Sequence, residues 1–207
     1  MSEAVTTGGG TTDIRNRAFS ETGNPVDSAV TVSAAQLLVW ALVATVTMLF
    51  AGFASAYLVR REGLDWVRVR LPGILWINTG VLLASSATIE FARRAYRHGE
   101  IEAVKRWVQS AVTLGAVFLL GQLAAWRQLA AQGVYLPTNP YSSFFYMLTA
   151  VHGAHLLGGM LALGYLLWHV SRADGDAIRA SALDGCATFW HFLDAIWICL
   201  YVLLLSY

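Results

Sequence analysis

Charged residues are scarce in this chain: Asp, Glu, Lys and Arg make up 13% of its 207 residues. A soluble domain normally carries about 25% charged residues. Hydrophobic residues account for 57% of the chain, so the composition predicts a membrane protein. The basic residues are spread between apolar segments rather than gathered on one face, and the formal net charge is only +1. This pattern has no electrostatic footprint for nucleic acid, and we expect no nucleic-acid partner.

Cysteine and proline are rare as well. Cys186 and Cys199 are too far apart for a thiol motif, and we interpret both as free thiols or packing residues. None of the four prolines interrupts a long apolar segment, and the chain has no internal repeat. Broken helices and inverted repeats are typical of transporters. These absences disfavour a small proton-coupled transporter, which would have to use Glu90, Asp194 and the histidines.

The apolar segments define the predicted fold. Residues 1–32 are polar, contain no secretory signal pattern, and are predicted to be a flexible tail preceding a membrane domain at 33–207. A helix needs roughly 20 apolar residues to cross a hydrocarbon core about 30 Å thick. Five segments qualify, at about 35–58, 72–92, 108–129, 142–170 and 187–207. We therefore predict an all-α polytopic membrane protein with five transmembrane helices.

The basic residues between the spans predict the orientation. Nine lie in the tail and in the second and fourth connections: Arg15, Arg17, Arg93, Arg94, Arg97, Lys105, Arg106, Arg172 and Arg179. Five lie in the first and third connections: Arg60, Arg61, Arg68, Arg70 and Arg127. The positive-inside rule then places the N-terminus in the cytoplasm and the C-terminus outside. Arg60 and Arg61, at the outer end of the first span, are candidate contacts for lipid phosphates, with snorkelling anchorage as the alternative.

Few ionisable side chains lie inside the spans. In the second span, Asn78 is a candidate polar contact, and Glu90 is followed by Arg93 and Arg94 at i+3 and i+4. An intrahelical ion pair is one interpretation of Glu90, and a proton-carrying role is the other.

The fourth span carries two histidines beside a stripe of small residues. The stripe predicts close helix contact and consists of Ala150, Ala154, Gly158 and Ala162. His152 and His155 could share a metal, or one could ligate haem, with interhelical hydrogen bonding or a polar lipid site as the alternative. Counted from the predicted span ends, His155 lies about 20 Å deep from the outer side and His191 about 6 Å from the cytoplasmic side. This offset disfavours a shared metal, and so few histidines cannot build a haem-copper catalytic centre.

The last span contains Trp190-His191-Phe192-Leu193-Asp194-Ala195-Ile196-Trp197. His191 and Asp194 share one helical face, and indoles flank them. Ionisable groups in a lipid-embedded helix usually face protein or water and pair with something. The two residues are either a functional imidazole–carboxylate pair or a buried polar pair that satisfies itself.

Four segments, in order, carry a resemblance to a known family. They are Phe50-Ala51-Gly52-Phe53 leading to Tyr57, Leu75-Trp76-Ile77-Asn78-Thr79 with Ser85-Ser86, Phe145 to His155, and Trp190 to Trp197. The last is similar to the Trp-His-Phe-x-Asp-x-x-Trp signature of subunit III of the haem-copper oxidases, the cytochrome c oxidase type. Phe145 to His155 is similar to that family's Thr-Gly-x-His-Gly-x-His helix. The resemblance covers nearly all of the chain from about residue 36.

The resemblance implies the short five-helix bacterial form, a V-shaped bundle with a cleft for phospholipid, in the bacterial cytoplasmic (inner) membrane. It implies a non-catalytic accessory subunit of cytochrome c oxidase, which reduces oxygen to water and pumps protons. Such a subunit stabilises catalytic subunit I by direct contact and supports proton uptake. It has no catalytic residue, metal or redox cofactor, and haem and copper are expected in partner subunits. Subunit II, a small subunit IV and a respiratory supercomplex are further expected contacts.

One departure limits what the resemblance implies. Many members carry a glutamate in the helix that matches the first span, where this chain has Val46, so no role of that acid transfers. A quinol oxidase subunit III and the accessory protein of nitric oxide reductases are alternatives that the sequence does not separate. A membrane cytochrome b with bis-histidine haem is an alternative from another class, which the histidine depths disfavour.

Overall fold

The computed structural model describes residues 34–67, 69–172 and 180–206, and within these ranges every regular element is a helix. The helices are α1 (Ala34–Arg60), α2 (Ile74–Arg97), α3 (Ile101–Ala131), α4 (Pro140–Arg172) and α5 (Ala180–Leu205). All five are long and apolar enough to cross a membrane. The predicted all-α, five-span architecture is therefore confirmed. The predicted tail, residues 1–32, lies outside the described residues.

The helices extend beyond the apolar segments that predicted them, chiefly at one end of the bundle. Helix α2 ends at Arg97 rather than near residue 92, α3 begins at Ile101 rather than near 108, and α5 begins at Ala180 rather than near 187. These extensions carry charges that pair along the helix, as Glu102 does with Lys105 at 2.7 Å. Hydropathy detects only the part of a helix that suits hydrocarbon, so these three helices extend past the predicted spans.

Four of the helices form a closed ring. Helix α2 packs along α3, α3 along α4, α4 along α5, and α5 back against α2. Helix α1 lies outside this ring, where it packs against α5 and, less extensively, against α4. The short connection between α2 and α3 makes them antiparallel neighbours with the largest contact in the bundle.

Glycines on α3 and α4 make room for a large side chain at the centre of the ring. The indole of Trp190 on α5 is fully buried. A Cβ atom added at Gly115 of α3 would lie 2.9 Å from this indole, and one added at Gly159 of α4 would lie 3.4 Å from it. The absence of a side chain at Gly115 lets the indole pack closely against α3, whereas the distance at Gly159 is that of an ordinary van der Waals contact.

Aromatic residues of α1 contact α4 and the first connection. Phe50 packs on the His155 ring with centroids 5.7 Å apart, and Tyr57 packs on Trp66 of the first connection at 5.1 Å. Val46, which stands where many relatives of the resembled family have a glutamate, is 2% exposed and belongs to the hydrophobic core.

Candidate functional site

Two indole N–H groups attach α5 to α2. Trp190 and Trp197 are seven residues apart, which places them on one helix face two turns from each other. Trp190 Nε1 donates to Ser85 Oγ at 3.2 Å, and Trp197 Nε1 donates to Thr79 Oγ1 at 3.0 Å. An unpaired buried N–H is costly, so these bonds define the register of the two helices. We call this interface, formed by Thr79, Ser85 and Ser86 with Trp190, His191 and Trp197, the α2–α5 seam.

The polar side chains of α2 also bind the backbone of α3. Ser85 Oγ donates to the Ala111 carbonyl at 3.2 Å, and the Asn78 side-chain amide donates to the Phe118 carbonyl at 3.3 Å. A Cβ atom at Gly121 would overlap the Asn78 amide, so this contact requires a glycine. Asn78, predicted to be a polar contact in the membrane, is 3% exposed and connects two helices.

His191 and Asp194 have different surroundings. His191 is half-buried, and its Nδ1 lies 2.5 Å from Ser86 Oγ on α2. Asp194 is 4% exposed, and neither of its carboxyl oxygens makes a hydrogen bond with the described residues. The partner of the imidazole is therefore a serine on another helix, which the sequence analysis did not identify as a site residue. The signal for Ser86 in the sequence was its place in one of the four segments that carry the family resemblance.

A charged cluster lies beside the seam near the end of α2. Arg93 is 3.2 Å from Glu90 on its own helix and 2.8 Å from Asp184 on α5, and Arg94 is 3.7 Å from Glu90. The geometry thus contains the intrahelical ion pair that was one interpretation of Glu90. The contact with Asp184 was not predicted from the sequence, because the predicted last span begins after that residue.

His152 and His155 differ in burial and in hydrogen bonding, although both rings contact Phe50 of α1. His152 is fully buried, neither ring nitrogen has a hydrogen-bond partner among the described residues, and its ring is 5.1 Å from that of Trp197. His155 Nδ1 is hydrogen-bonded to the Val151 carbonyl of its own helix at 2.8 Å. Gln122 of α3 is 3% exposed, and its side-chain amide makes no hydrogen bond with the described residues either. His152 was a candidate residue from the sequence, whereas Gln122, on the adjacent helix, was not.

The histidines of α4 and α5 remain apart along the bundle. His152 contacts Trp197, whereas His191 lies six residues before Trp197, about 9 Å along the helix axis. Among the described residues, no group of three His, Cys, Asp or Glu side chains is placed to hold a metal ion.

Two cavities border the contact between α1 and α4. One, of about 360 Å³, is lined by Leu42, Ala154, His155, Gly158, Ala162 and Phe189. The other, of about 740 Å³, is open and lined by Ala56, Val59, Arg60, Gly63, Pro140, Ser143 and Phe144. Arg60 donates to Asp65 at 2.7 Å, and this hydrogen bond holds the pKa of the Asp65 carboxyl below its usual range. Arg61 pairs with Glu62 at 3.3 Å.

Comparison with known proteins gives one consistent family. The family described as cytochrome c oxidase subunit III matches residues 68–207. Cytochrome c oxidase subunit 3 of Corynebacterium diphtheriae is 33% identical over 163 residues, which cover 75% of this chain and 79% of that protein. Cytochrome c oxidase subunit 3 of Synechocystis sp. is 32% identical over 165 residues, covering 75% and 68%. Probable cytochrome c oxidase subunit 3 of Mycobacterium tuberculosis is 34% identical over 126 residues, covering 61% and 62%.

A double-mutant cycle tests the α2–α5 seam. Trp197→Phe removes the N–H donor, and Thr79→Val removes the acceptor while its neighbours stay in place. Each change is expected to lower the free energy of unfolding in mild detergent by about 0.5–1.5 kcal/mol. The two together should show a coupling of about 0.6 kcal/mol, a typical value for a hydrogen bond between membrane helices.

Thr47→Val provides the control for this cycle, because the Thr47 hydroxyl bonds to the Val43 carbonyl of its own helix. Its effect should add to that of Trp197→Phe with no coupling. A coupling of zero between Trp197 and Thr79 would show that the indole hydrogen bond does not hold the helices together.

Proposed function

This chain belongs to the cytochrome c oxidase subunit III family, and we propose that it is the accessory, non-catalytic subunit of a respiratory haem-copper oxidase. In this proposal the complex reduces oxygen to water and pumps protons, and haem and copper belong to partner subunits. The chain packs directly against catalytic subunit I, stabilises it, holds phospholipid and supports proton uptake. Subunit II, a small subunit IV and a respiratory supercomplex are the further partners that we propose.

The observation that carries this proposal is the use of polar side chains inside the ring. Asn78, Ser85, Trp190 and Trp197 all make hydrogen bonds between helices. Alternating access in a transporter requires bundles of helices to move against each other. Side chains that attach α5 to α2 and α2 to α3 suit a rigid accessory subunit better than a moving transporter.

The α1–α4 cavities support the lipid-binding part of the proposal. The cavity beside His155 is lined by three small residues of α4, and it has the apolar walls that an acyl chain requires. The cavity beside Arg60 lies at the opposite end of α1, where its guanidinium is available to a headgroup phosphate if Asp65 is displaced. We propose that phospholipid occupies these cavities.

We further propose that the chain lies in the bacterial cytoplasmic membrane with its N-terminus inside. The connections on that side carry most of the basic residues, as counted above. In this orientation the charged cluster of Glu90, Arg93 and Asp184 faces the cytoplasm, and Arg60 and Arg61 face outward.

The accessory role is tested by removing the chain from cells. Membranes without it are expected to keep the redox difference spectrum of the oxidase and its initial rate of oxygen consumption, because the cofactors are in other subunits. The rate should then decay faster during sustained turnover, and a plasmid-borne copy of the full-length chain should restore the slow decay. A missing haem spectrum, or decay at the normal rate, would contradict the proposed role.

Lipid binding is tested by filling one cavity. A Cβ atom at Gly158 meets no other atom within 4 Å, so Gly158→Leu extends into the cavity without straining the chain. This variant is expected to lose lipid that co-purifies with the wild type, as measured by mass spectrometry of the purified assembly. Gly164→Leu is the matched control: it lies on the same helix, is equally free of close contacts and does not line the cavity. Equal lipid content in both variants would refute binding at this site.

Orientation is tested by labelling single cysteines with a membrane-impermeant maleimide. The natural thiols at Cys186 and Cys199, both free, are first replaced by alanine. Gln132→Cys, in the exposed connection after α3, should react in intact cells. Glu100→Cys, in the exposed turn before α3, should react only after the membrane is permeabilised. The reverse pattern would mean that the proposed orientation is inverted.

A further inference from the structure

Asp194 lies on the interior face of α5. It follows Trp190 by four residues and precedes Trp197 by three, so the three side chains point in the same direction. The carboxyl is 4% exposed and has no hydrogen-bond partner among the described residues. An ionised carboxylate in such surroundings would carry a large uncompensated desolvation cost. The neutral acid, which holds a proton, is therefore the favoured form.

Ser86 connects this carboxyl with an imidazole. Its Oγ lies 2.5 Å from His191 Nδ1, and Asp194 follows His191 by three residues, one turn further along the same side of α5. A hydroxyl has one proton to donate and two acceptor positions. Ser86 can therefore accept a proton from one neighbour while it donates its own to the other.

The charged cluster lies next to this imidazole. Glu90 follows Ser86, the partner of His191, by four residues on the same face of α2, and Arg93 joins Glu90 to Asp184. From Asp184 to Asp194 the axis of α5 rises about 15 Å, so the polar side chains reach from the exposed end of the bundle into its interior. Glu90, Arg93 and Asp184 are all partly exposed, which gives water access to the outer end of this series.

The other helices contribute little charge near Asp194. Helix α4 contributes His152, whose ring contacts Trp197, while His155 contacts Phe50 of α1. Helix α1 has no charged residue between Ala34 and Val59. The charged residues of α3 lie toward its ends and are Glu102, Lys105, Arg106 and Arg127. The charged and titratable groups near Asp194 are thus mainly those of α2 and α5.

We propose that Asp194 is a proton-binding site, loaded through His191 and Ser86 from the charged cluster of Glu90, Arg93 and Asp184. The imidazolium passes its Nδ1 proton to Ser86 Oγ, and the serine releases its own hydroxyl proton to the carboxylate. The products are a neutral imidazole, an intact serine and a carboxylic acid; no electron moves and no bond between heavy atoms changes. Water at the cluster returns a proton to His191. The direction of loading, from the cytoplasm, rests on the proposed orientation, whereas the existence of the proton-binding site does not.

Infrared spectroscopy of the full-length chain in phospholipid bilayers tests this site. A protonated carboxyl has its own C=O stretching band, which shifts when its proton exchanges in D2O. The wild type is expected to show such a band, and Asp194→Asn, an uncharged change of similar shape, should remove it. Asp184→Asn is the matched control, because Asp184 lies on the same helix but is exposed and paired with Arg93. Absence of the band from the wild type, or its survival in Asp194→Asn, would overturn the site.

The relay is tested by the rate at which the same band exchanges. Ser86→Ala is expected to slow the exchange about tenfold, the change that corresponds to loss of a hydrogen bond of about 1.4 kcal/mol. Ser110→Ala is the control, because the Ser110 hydroxyl bonds to the Arg106 carbonyl of its own helix. Unchanged exchange in Ser86→Ala would refute the relay. These spectra do not depend on association with an oxidase, so failure of the proposed function remains distinguishable from failure of this proposal.

Discussion

The indole hydrogen bonds of α5 are the contacts on which the rest of the bundle depends. Inside a bilayer no water can satisfy a polar group, so each N–H and hydroxyl must find a partner within the protein. Trp190 and Trp197 find theirs on α2, and α2 in turn donates from Ser85 to the backbone of α3. Three helices, α2, α3 and α5, which share no hydrophobic driving force in lipid, are thereby given one register. Gly115 is part of the same arrangement, because the buried indole of Trp190 packs against α3 at a point where a Cβ atom would be only 2.9 Å away.

The five spans and the ion pair of Glu90 could be predicted because each depends on residues that are close in sequence. Hydropathy and the i+3 and i+4 spacing are local signals. The partner of His191 could not be predicted in this way, because Ser86 is more than one hundred residues away and only helix packing brings the two together. The helix ends near Ile101 and Ala180 were missed because charged turns continue a helix past the hydrocarbon. The contact between Arg93 and Asp184 was not predicted for the same reason.

The buried polar residues differ in whether they have a hydrogen-bond partner. Asn78 and His191 have partners on neighbouring helices or their backbone, whereas Asp194, His152 and Gln122 are buried and make no hydrogen bond with the described residues. Buried polar groups without a hydrogen-bond partner are rare in native proteins. For Asp194 a bound proton removes the charge that burial would otherwise penalise. His152 is surrounded by the rings of Trp197, Phe118 and Phe50, which favour a neutral imidazole packed as an aromatic side chain.

The central claim is that this chain serves an oxidase without holding its cofactors. The most direct measurement is gentle purification of the tagged chain from its own membranes, with a redox difference spectrum and a subunit analysis before and after the chain is stripped away. The account predicts that haem and copper co-purify with the chain and stay with the larger subunits once it is removed. A chain that purifies alone with its own stoichiometric haem would contradict the account, and so would one that purifies alone with neither cofactor nor partner.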